Sequence, residues 1–309
     1  MCYKYLISTI AFFLLSSTII SAQSSREVVG KWNLTVQSED GNFPAWLEVK
    51  RSGPNTMVGS YVGYEGSARP ISEIHYSEQN KAYSFSIPPQ WKRIDDNLKF
   101  EFKLENNQLS GTKRYEQVTL NWTGERAPDL IRDEPPSWGN PVNLLDPKLT
   151  KWIIPENNQF VMIDGVLVNR KVGGNLITTE RFDDFKIHLE FRYPERSNSG
   201  LYLRGRYEIQ IADNYGQKPY DQLIGSIYGH ITPSVNASKK ADEWQTLDVT
   251  LVGRMVTIVL NGVEVVSNQS IPGMTGGALD SNENEPGPIM IQGDHGLVEF
   301  RKIVIVPAY

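Results

Sequence analysis

Residues 98–105 read LKFEFKLE, a strict alternation of apolar and charged side chains. Successive side chains of a β-strand point to opposite faces, so this stretch has one apolar face and one solvated face. Residues 83–87 and 118–123 alternate in the same way, and turn residues such as Asp40-Gly41 separate such runs. This pattern is typical of an antiparallel sheet with one wet face. We therefore predict a small antiparallel β meander, folded as a barrel or sandwich, over residues 23–127.

The second half of the chain continues the alternation with more numerous strands. Residues 187–193 and 207–211 alternate, and Asn261-Gly262 between two apolar runs is typical of a tight hairpin. Many antiparallel strands over residues 142–309 predict a jelly-roll sandwich, so the expected fold class is all-β. Residues 128–141 contain four prolines, which lack a donor for strand pairing, and are predicted to connect the two domains.

Composition restricts the classes of function. Of 309 residues, 31 are Lys or Arg and 36 are Asp or Glu, which gives a net charge of −5. This acidic balance argues against a nucleic-acid partner, because no basic excess is present to neutralise phosphates. Hydrophobic residues at 39% and charged residues at 22% are globular values and exclude a chain that is disordered throughout.

The N-terminus has the pattern of an export signal. Lys4 precedes an apolar run, and Ser21-Ala22 offers small residues for cleavage before Gln23. We expect residues 1–22 to be a signal peptide and the protein to be periplasmic or secreted in a bacterium; an uncleaved signal anchor is the alternative. No other run is long and apolar enough to span a membrane. The single cysteine, Cys2, lies within the signal, so the mature chain has no disulfide.

Candidate chemistry is concentrated between Asn198 and Asp213. Alternation places Arg204, Glu208 and Gln210 on the same face of two neighbouring strands, opposite the apolar residues. Asp213 adds a second carboxylate where the second strand ends. Such a group is either the polar part of a catalytic site or a set of cross-strand salt bridges on a solvated sheet.

Further polar residues are candidates for the same face. Tyr228 lies in a segment of small residues that would let a ligand approach the backbone, and a Gly-rich turn carries Gln292, Asp294 and His295. The glycines and prolines of 273–288 predict a long mobile loop, a candidate lid. No spacing typical of a zinc site is present. A divalent cation held by carboxylates remains open; the candidate ligands are Asp213, Glu208 and Glu190.

Residues from about 142 to 307 resemble the 3-keto-disaccharide hydrolase domain family. The segments that carry the resemblance are 142–146 with Trp152, 164–167, 182–185, 198–204, 207–213, 225–228, 239–244, 260–263 and 296–301. The family resembles concanavalin-like jelly rolls, which agrees with the alternation. The resemblance implies action on glycosides oxidised at C3, beside a partner glycoside 3-dehydrogenase that makes them. The N-terminal Gly30-Lys31-Trp32 is similar to the opening of lipocalin-type barrels.

The implied reaction begins with removal of the C2 hydrogen, which the C3 ketone makes acidic, and continues with elimination of the C1 aglycone. Water addition would make the outcome a net hydrolysis. Such a site needs a base, a group that stabilises the enolate and an acid for the leaving group. We predict Glu208, Arg204 and His295 in these roles, with Asp213 as an alternative base. Predicted substrate contacts come from Asn198, Gln210, Tyr228, Lys239, Trp244, Gln292 and Glu190.

Two other interpretations remain. A laminarinase-like glycosidase would need paired carboxylates on one strand, but Gln210 stands where the middle carboxylate would be. A non-catalytic carbohydrate-binding module would use aromatic and amide side chains without a paired Glu208 and Arg204. Because the fold hosts all three functions, the fold alone does not discriminate among them.

Overall fold

The computed structural model describes residues 27–64, 66–91 and 93–309. The predicted signal peptide and Cys2 lie outside the described residues. The chain divides into two compact units. The first contains the described residues up to Tyr61 together with Arg69–Arg126, and the second contains Val62–Ala68 and Ala127–Tyr309. No helix in these described ranges combines the length and apolar character needed to span a membrane.

The first unit is a closed antiparallel barrel in which each strand pairs with the next and the first strand pairs with the last. The predicted meander is therefore confirmed in its barrel form. Its strands are β1 (Gly30–Val36), β2 (Phe43–Arg51), β3 (Met57–Val62), β4 (Arg69–Ser77), β5 (Ala82–Ile87), β6 (Leu98–Glu105), β7 (Gln108–Tyr115) and β8 (Val118–Arg126).

Aromatic side chains fill the barrel interior. Phe85 and Phe100 stack with ring centroids 4.4 Å apart, and Phe102 lies 5.5 Å from Trp122. The charged residues that alternate with them on β6 are exposed. The period of two seen in the sequence thus separates the core of the barrel from its surface.

The second unit is a sandwich of two sheets, as the jelly-roll prediction requires. Its strands are β9 (Val142–Asn143), β10 (Trp152–Ile153), β11 (Phe160–Ile163), β12 (Val166–Asn169), β13 (Leu176–Phe182), β14 (Phe185–Arg192), β15 (Asn198–Leu203), β16 (Tyr207–Ala212), β17 (Gln245–Val252), β18 (Met255–Leu260), β19 (Val263–Ser270), β20 (Gly287–Ile291) and β21 (Glu299–Pro307). One sheet has five strands in the order β10-β13-β20-β15-β16. The other sheet has eight strands, in the order β11-β12-β21-β14-β17-β18-β19 with β9 paired to β21.

The strand that positions the candidate site is β16, and all six of its residues are buried. Tyr207, Ile209 and Ile211 belong to the apolar core between the sheets. Glu208 and Gln210 point to the opposite face and are nevertheless only 5% and 6% exposed. The sequence predicted a solvated face here, so burial of these two polar side chains is the first departure from expectation.

Residues 128–141 pack against the second unit. Gly139 donates a backbone hydrogen bond to Pro307 O at 2.8 Å, and Trp138 forms a single bridge with Ala308. Arg132 pairs with Asp184 at 2.6 Å. The proline-rich connector therefore follows a fixed path along the sandwich without entering a strand.

The 273–288 segment is fastened at its middle, which contradicts the predicted mobile lid. The Glu283 carboxylate is 1% exposed. It accepts hydrogen bonds from the Arg254 guanidinium at 2.6 Å and from the Tyr207 hydroxyl at 2.7 Å. Arg206 pairs with Asp280 at 2.7 Å. A segment anchored by buried ion pairs cannot open without exposing unpaired charges.

Candidate active site

Three cross-strand pairs build one face of the five-stranded sheet. Register pairs Asn198 with Ala212, Gly200 with Gln210 and Tyr202 with Glu208. Residues directly opposite each other in an antiparallel pair share a face, so the side chains of these residues gather on the side away from the core. This set of polar side chains, completed below by Ser226, Tyr228 and Gln292, is called the Glu208 face.

The Glu208 carboxyl is the only acidic group on β16, and its surroundings are unusual. Tyr202 donates a hydrogen bond from its hydroxyl to Glu208 Oε2 at 3.0 Å. Oε1 lies against Gly200, where a Cβ would come within 2.5 Å of it. Burial raises the pKa of Glu208 to about 8, although the Tyr202 hydrogen bond and the charge of His295 act to lower it. Glu208 is therefore a carboxyl that exchanges its proton near neutral pH.

Four buried oxygen atoms on the Glu208 face have no hydrogen-bond partner in the described part of the chain. They are Asn198 Oδ1, Gln210 Oε1, Gln292 Oε1 and Ser226 Oγ. Buried polar atoms in folded proteins are almost always hydrogen-bonded, and an unsatisfied one costs about 1–3 kcal/mol. Four such atoms on one face fit a ligand that presents several hydroxyl donors.

The edge of β16 that does not pair with β15 is covered by two segments, which contain Tyr228 and Thr275. These segments bring further groups to the Glu208 face. Tyr228 donates its backbone N–H to Glu208 O at 3.0 Å, and Gln210 donates its N–H to Ser226 O at 3.1 Å. Glu208 donates its own N–H to Thr275 Oγ1 at 2.9 Å. Burial, followed by the charge of Glu208, raises the pKa of Tyr228 to about 12, so this half-buried phenol keeps its proton at every physiological pH.

A histidine–aspartate pair lies within electrostatic range of Glu208. His295 Nδ1 is 2.6 Å from Asp294 Oδ1, and both side chains are about half exposed. The charge of His295 lowers the pKa of Glu208, whereas the charge of Asp294 raises it. The structure therefore brings His295 near Glu208, as predicted, together with Asp294, which the sequence analysis named at the same turn without giving it a role.

The predicted pairing of Arg204 with Glu208 is wrong. Arg204 has a left-handed backbone (φ 53°) in the hairpin turn, so strand alternation ends before it. Its fully buried guanidinium instead donates to the backbone oxygens of Glu283 and Glu285 and lies 3.4 Å from Asp183. Arg204 therefore helps to fasten the 273–288 segment and is not the partner of Glu208.

Asp213 and Lys239 have partners elsewhere in the second unit. The Asp213 carboxylate accepts the Arg196 backbone N–H at 2.8 Å. Lys239 bonds through Nζ to Trp244 O at 2.9 Å and through its backbone to the Gln245 side chain. Both residues fasten loops, which is a structural role.

Two other predicted contacts lie on the eight-stranded sheet, not on the Glu208 face. The guanidinium of Arg301 lies over the Trp244 ring, 4.4 Å from its centroid, and that of Arg192 lies at 4.9 Å. Arg301 also pairs with Glu190 at 2.6 Å, which lowers the pKa of Glu190. Placing Trp244 and Glu190 beside Glu208 was wrong, because alternation alone does not say to which sheet a strand belongs.

The suggested cation ligands are likewise dispersed, since Glu190 is on one sheet and Glu208 on the other. Within the described ranges, no cluster of three or more His, Cys, Asp or Glu side chains could hold a metal ion.

The sequence analysis gave no role in the site to Tyr202, Ser226 or Gly200. Tyr202 and Gly200 carried a usable signal, because both have the same strand parity as Asn198 on β15. Ser226 lies in an irregular segment whose pairing with β16 depends on tertiary structure.

Comparison with known proteins identifies the family to which this chain belongs. A family model for the 3-keto-alpha-glucoside-1,2-lyase-like domain matches residues 140–306, more than half of the chain. One solved structure, a candidate glycosyl hydrolase from Parabacteroides distasonis, is 28% identical; the match covers 57% of this chain and 92% of that one, with a TM-score of 0.48. A second such protein from the same organism is 25% identical and covers 54% and 98%, with a TM-score of 0.45.

A Trypanosoma rangeli sialidase is 10% identical, with coverage of 89% and 64% and a TM-score of 0.34. No curated protein sequence matches the chain. The family match covers every residue of the Glu208 face. This chain belongs to the family of the 3-keto-alpha-glucoside-1,2-lyase-like domain and is a carbohydrate-active, glycoside-acting enzyme.

Proposed function

We propose that the protein cleaves glycosides whose C3 hydroxyl has been oxidised to a ketone. The observation that carries the proposal is Glu208, a buried carboxyl with a pKa of about 8 that shares a sheet face with buried oxygen atoms lacking hydrogen-bond partners. A ketone at C3 acidifies the C2 hydrogen, so one well-placed base can start the reaction. A general base is most effective when its pKa lies near the working pH.

In the proposed reaction, ionised Glu208 takes the C2 proton, and the C2–H electron pair forms an enolate with the C3 carbonyl. Collapse of the enolate forms the C1–C2 double bond and breaks the bond from C1 to the aglycone oxygen. His295, oriented by Asp294, protonates that oxygen as it leaves. Water that adds across the double bond returns a 3-keto sugar, which makes the net reaction a hydrolysis; without it the reaction is a lyase elimination.

The enolate oxygen needs a hydrogen-bond donor, and Tyr228 replaces Arg204 in that role. Its backbone is bonded to Glu208, and its raised pKa keeps the phenol protonated. A preoriented neutral donor in a buried site stabilises a developing oxyanion without prior reorganisation.

The amide oxygens of Asn198, Gln210 and Gln292 are proposed to accept hydrogen bonds from the sugar hydroxyls. These oxygens are acceptors, and each sugar hydroxyl supplies one donor. An ordered sugar would satisfy the buried atoms that the protein itself leaves unpaired.

The test is turnover of a 3-keto-glucoside and of its unoxidised parent by the purified full chain. We expect release of the aglycone from the ketone alone, with kcat/KM rising up to about pH 8, where Glu208 titrates. Glu208→Gln should lose about 10²–10⁴-fold in rate. Glu190→Gln is the matched control and should retain activity, because Glu190 lies on the other sheet.

Other outcomes of the same assay would indicate one of the two alternative functions, an ordinary glycosidase or a carbohydrate-binding module. Turnover of the unoxidised parent that needs both Glu208 and Asp294 would indicate an ordinary glycosidase with paired carboxylates. Sugar binding without turnover of either compound would indicate a carbohydrate-binding module. Unchanged activity of Glu208→Gln would remove Glu208 from the mechanism.

The proposed substrate requires a preceding oxidation. A dehydrogenase that oxidises a glycoside at C3 is therefore the proposed functional partner. Export is proposed from the apolar run that precedes Gln23. The substrate would then be met in the periplasm or outside the cell.

A further inference from the structure

The Tyr202 hydroxyl has two acceptors and one proton. It lies 3.0 Å from Glu208 Oε2 and 3.0 Å from Gly276 O, and the side chain is 2% exposed. Gly277 leaves no room around it, because a Cβ there would come within 2.5 Å of the hydroxyl. A phenol donates only one hydrogen bond, so both acceptors can be satisfied only if Glu208 itself carries a proton.

Two arrangements follow from this geometry. When Glu208 is neutral, its O–H donates to the Tyr202 oxygen and Tyr202 donates to Gly276 O. When Glu208 is ionised, Tyr202 must turn its proton to the carboxylate, and Gly276 O loses its donor. A charge-assisted bond to a carboxylate is stronger than one to a carbonyl, which sets the direction of the exchange.

We propose that Tyr202 is a positioning residue that couples the protonation state of Glu208 to the 274–278 segment. The coupling rests on the proposed function, since it acts through the base of that reaction. Loss of the proton from Glu208 releases Gly276 O, and uptake of the proton in the reaction restores the bond. The backbone beside the site therefore responds to each proton transfer.

The segment is placed to transmit this change. Thr275 donates its N–H to Arg206 O at 3.0 Å and accepts the Glu208 N–H, so it is tied to β16. Gly277 donates its N–H to Tyr64 O at 2.7 Å, within the same compact unit. The released carbonyl thus lies between two fastened residues.

Titratable side chains of neighbouring described residues act on the Tyr202–Glu208 pair. Tyr228, Asp294 and His295 act electrostatically on Tyr202, on Glu208 or on both. Burial and the charge of Glu208 raise the pKa of Tyr202 well above its usual value, so the phenol keeps its proton while Glu208 titrates. The exchange therefore follows the titration of Glu208, while Tyr202 keeps its proton.

The first test is the pH dependence of kcat/KM in Tyr202→Phe. Loss of the donor raises the pKa of Glu208, and a hydrogen bond to a charged group corresponds to about one to two pKa units. The acidic limb should move up by that amount, with about a 10- to 100-fold loss at pH 7 and recovery at high pH. A loss of equal size at every pH would mean a merely structural role and would overturn the proposal.

Tyr207→Phe is the matched control. Tyr207 is also a fully buried tyrosine that donates to a buried glutamate, Glu283, but on the core side of β16. The Tyr207→Phe substitution should alter stability without moving the acidic limb of the pH dependence of kcat/KM. An equal shift in both variants would overturn the proposal.

A second measurement does not depend on activity or on the folding of a variant. Amide hydrogen exchange at Gly277, corrected for intrinsic rates, should speed up in the wild-type chain as Glu208 ionises near pH 8. In Glu208→Gln the amide donor should hold the neutral arrangement, so protection should not change with pH. Protection that is independent of pH in the wild type overturns the coupling, whereas absence of turnover with pH-dependent protection overturns only the proposed function.

Discussion

Glu208→Gln should stabilise the protein at alkaline pH while removing its activity. The folded pKa of about 8 lies above the ordinary value of 4.5, so the native state binds a proton that the unfolded state releases. Stability is therefore highest below pH 4.5 for this group and falls as the pH rises toward 8. Glutamine carries no charge at any pH and escapes this loss.

The size of the effect follows from the shift. At 1.36 kcal/mol per pKa unit, the wild type loses roughly 3 kcal/mol by pH 7 and roughly 4–5 kcal/mol above pH 8. Because Glu208 is 5% exposed, solvent screening reduces this little. We expect the variant to match the wild type near pH 4.5 and to exceed it by several kcal/mol at pH 8.5.

Differential scanning calorimetry of both proteins at pH 4.5, 7 and 8.5 measures this difference. The method is chosen because the two compact units can unfold in separate transitions, which calorimetry resolves. For a unit of about this size, each kcal/mol corresponds to a Tm shift of about 2–4 °C. A variant that is less stable than the wild type at every pH would show that Glu208 is a structural hydrogen-bonding residue. A gain that does not depend on pH would show that ionisation is not its cause.

Three further predictions concern other parts of the chain. Gly200→Ala should lower kcat/KM by displacing Glu208 Oε1 while changing Tm little, because the group that must move is the end of a flexible side chain; an unchanged rate would contradict this placement. Glu283→Gln should cost about 3–5 kcal/mol in unfolding experiments, since it leaves the buried Arg254 charge unpaired. N-terminal sequencing of the exported protein should begin at Gln23, and an intact N-terminus in the membrane fraction would indicate a signal anchor.

The sequence predicted the strands well because their information is local. The alternation at 98–105 separates core from surface within eight consecutive residues, and the structure preserves it as β6. The grouping of Asn198, Gln210 and Glu208 succeeded for the same reason, since all three lie on a simple hairpin whose register follows from its turn.

The failures occur where local information ends. Arg204 does not lie on the predicted face, because its own positive φ at the end of the strand changes the direction of its side chain. Trp244 was misplaced because β17, which begins at the next residue, belongs to the other sheet, and only the topology decides this. The 273–288 segment is fastened because Glu283 meets Arg254 and Tyr207, which come together only in the folded chain.

A comparison of two buried glutamates in the same unit supports the proposed role of the Glu208 face. Glu283 and Glu208 each accept a hydrogen bond from a buried tyrosine, Tyr207 and Tyr202. Glu283 also pairs with Arg254 at 2.6 Å, as expected of a carboxylate kept for stability. Glu208 has no cation in such contact among the described residues, and burial dominates its pKa.

A buried carboxyl without a cation and four buried oxygens without hydrogen-bond partners each lower stability, and Gly200 leaves the space that Glu208 Oε1 occupies. A fold that pairs Glu283 fully can pair a buried carboxylate when only structure requires it. The convergence of these unfavourable features on one face is therefore better explained by a polyhydroxylated ligand and a proton transfer than by packing.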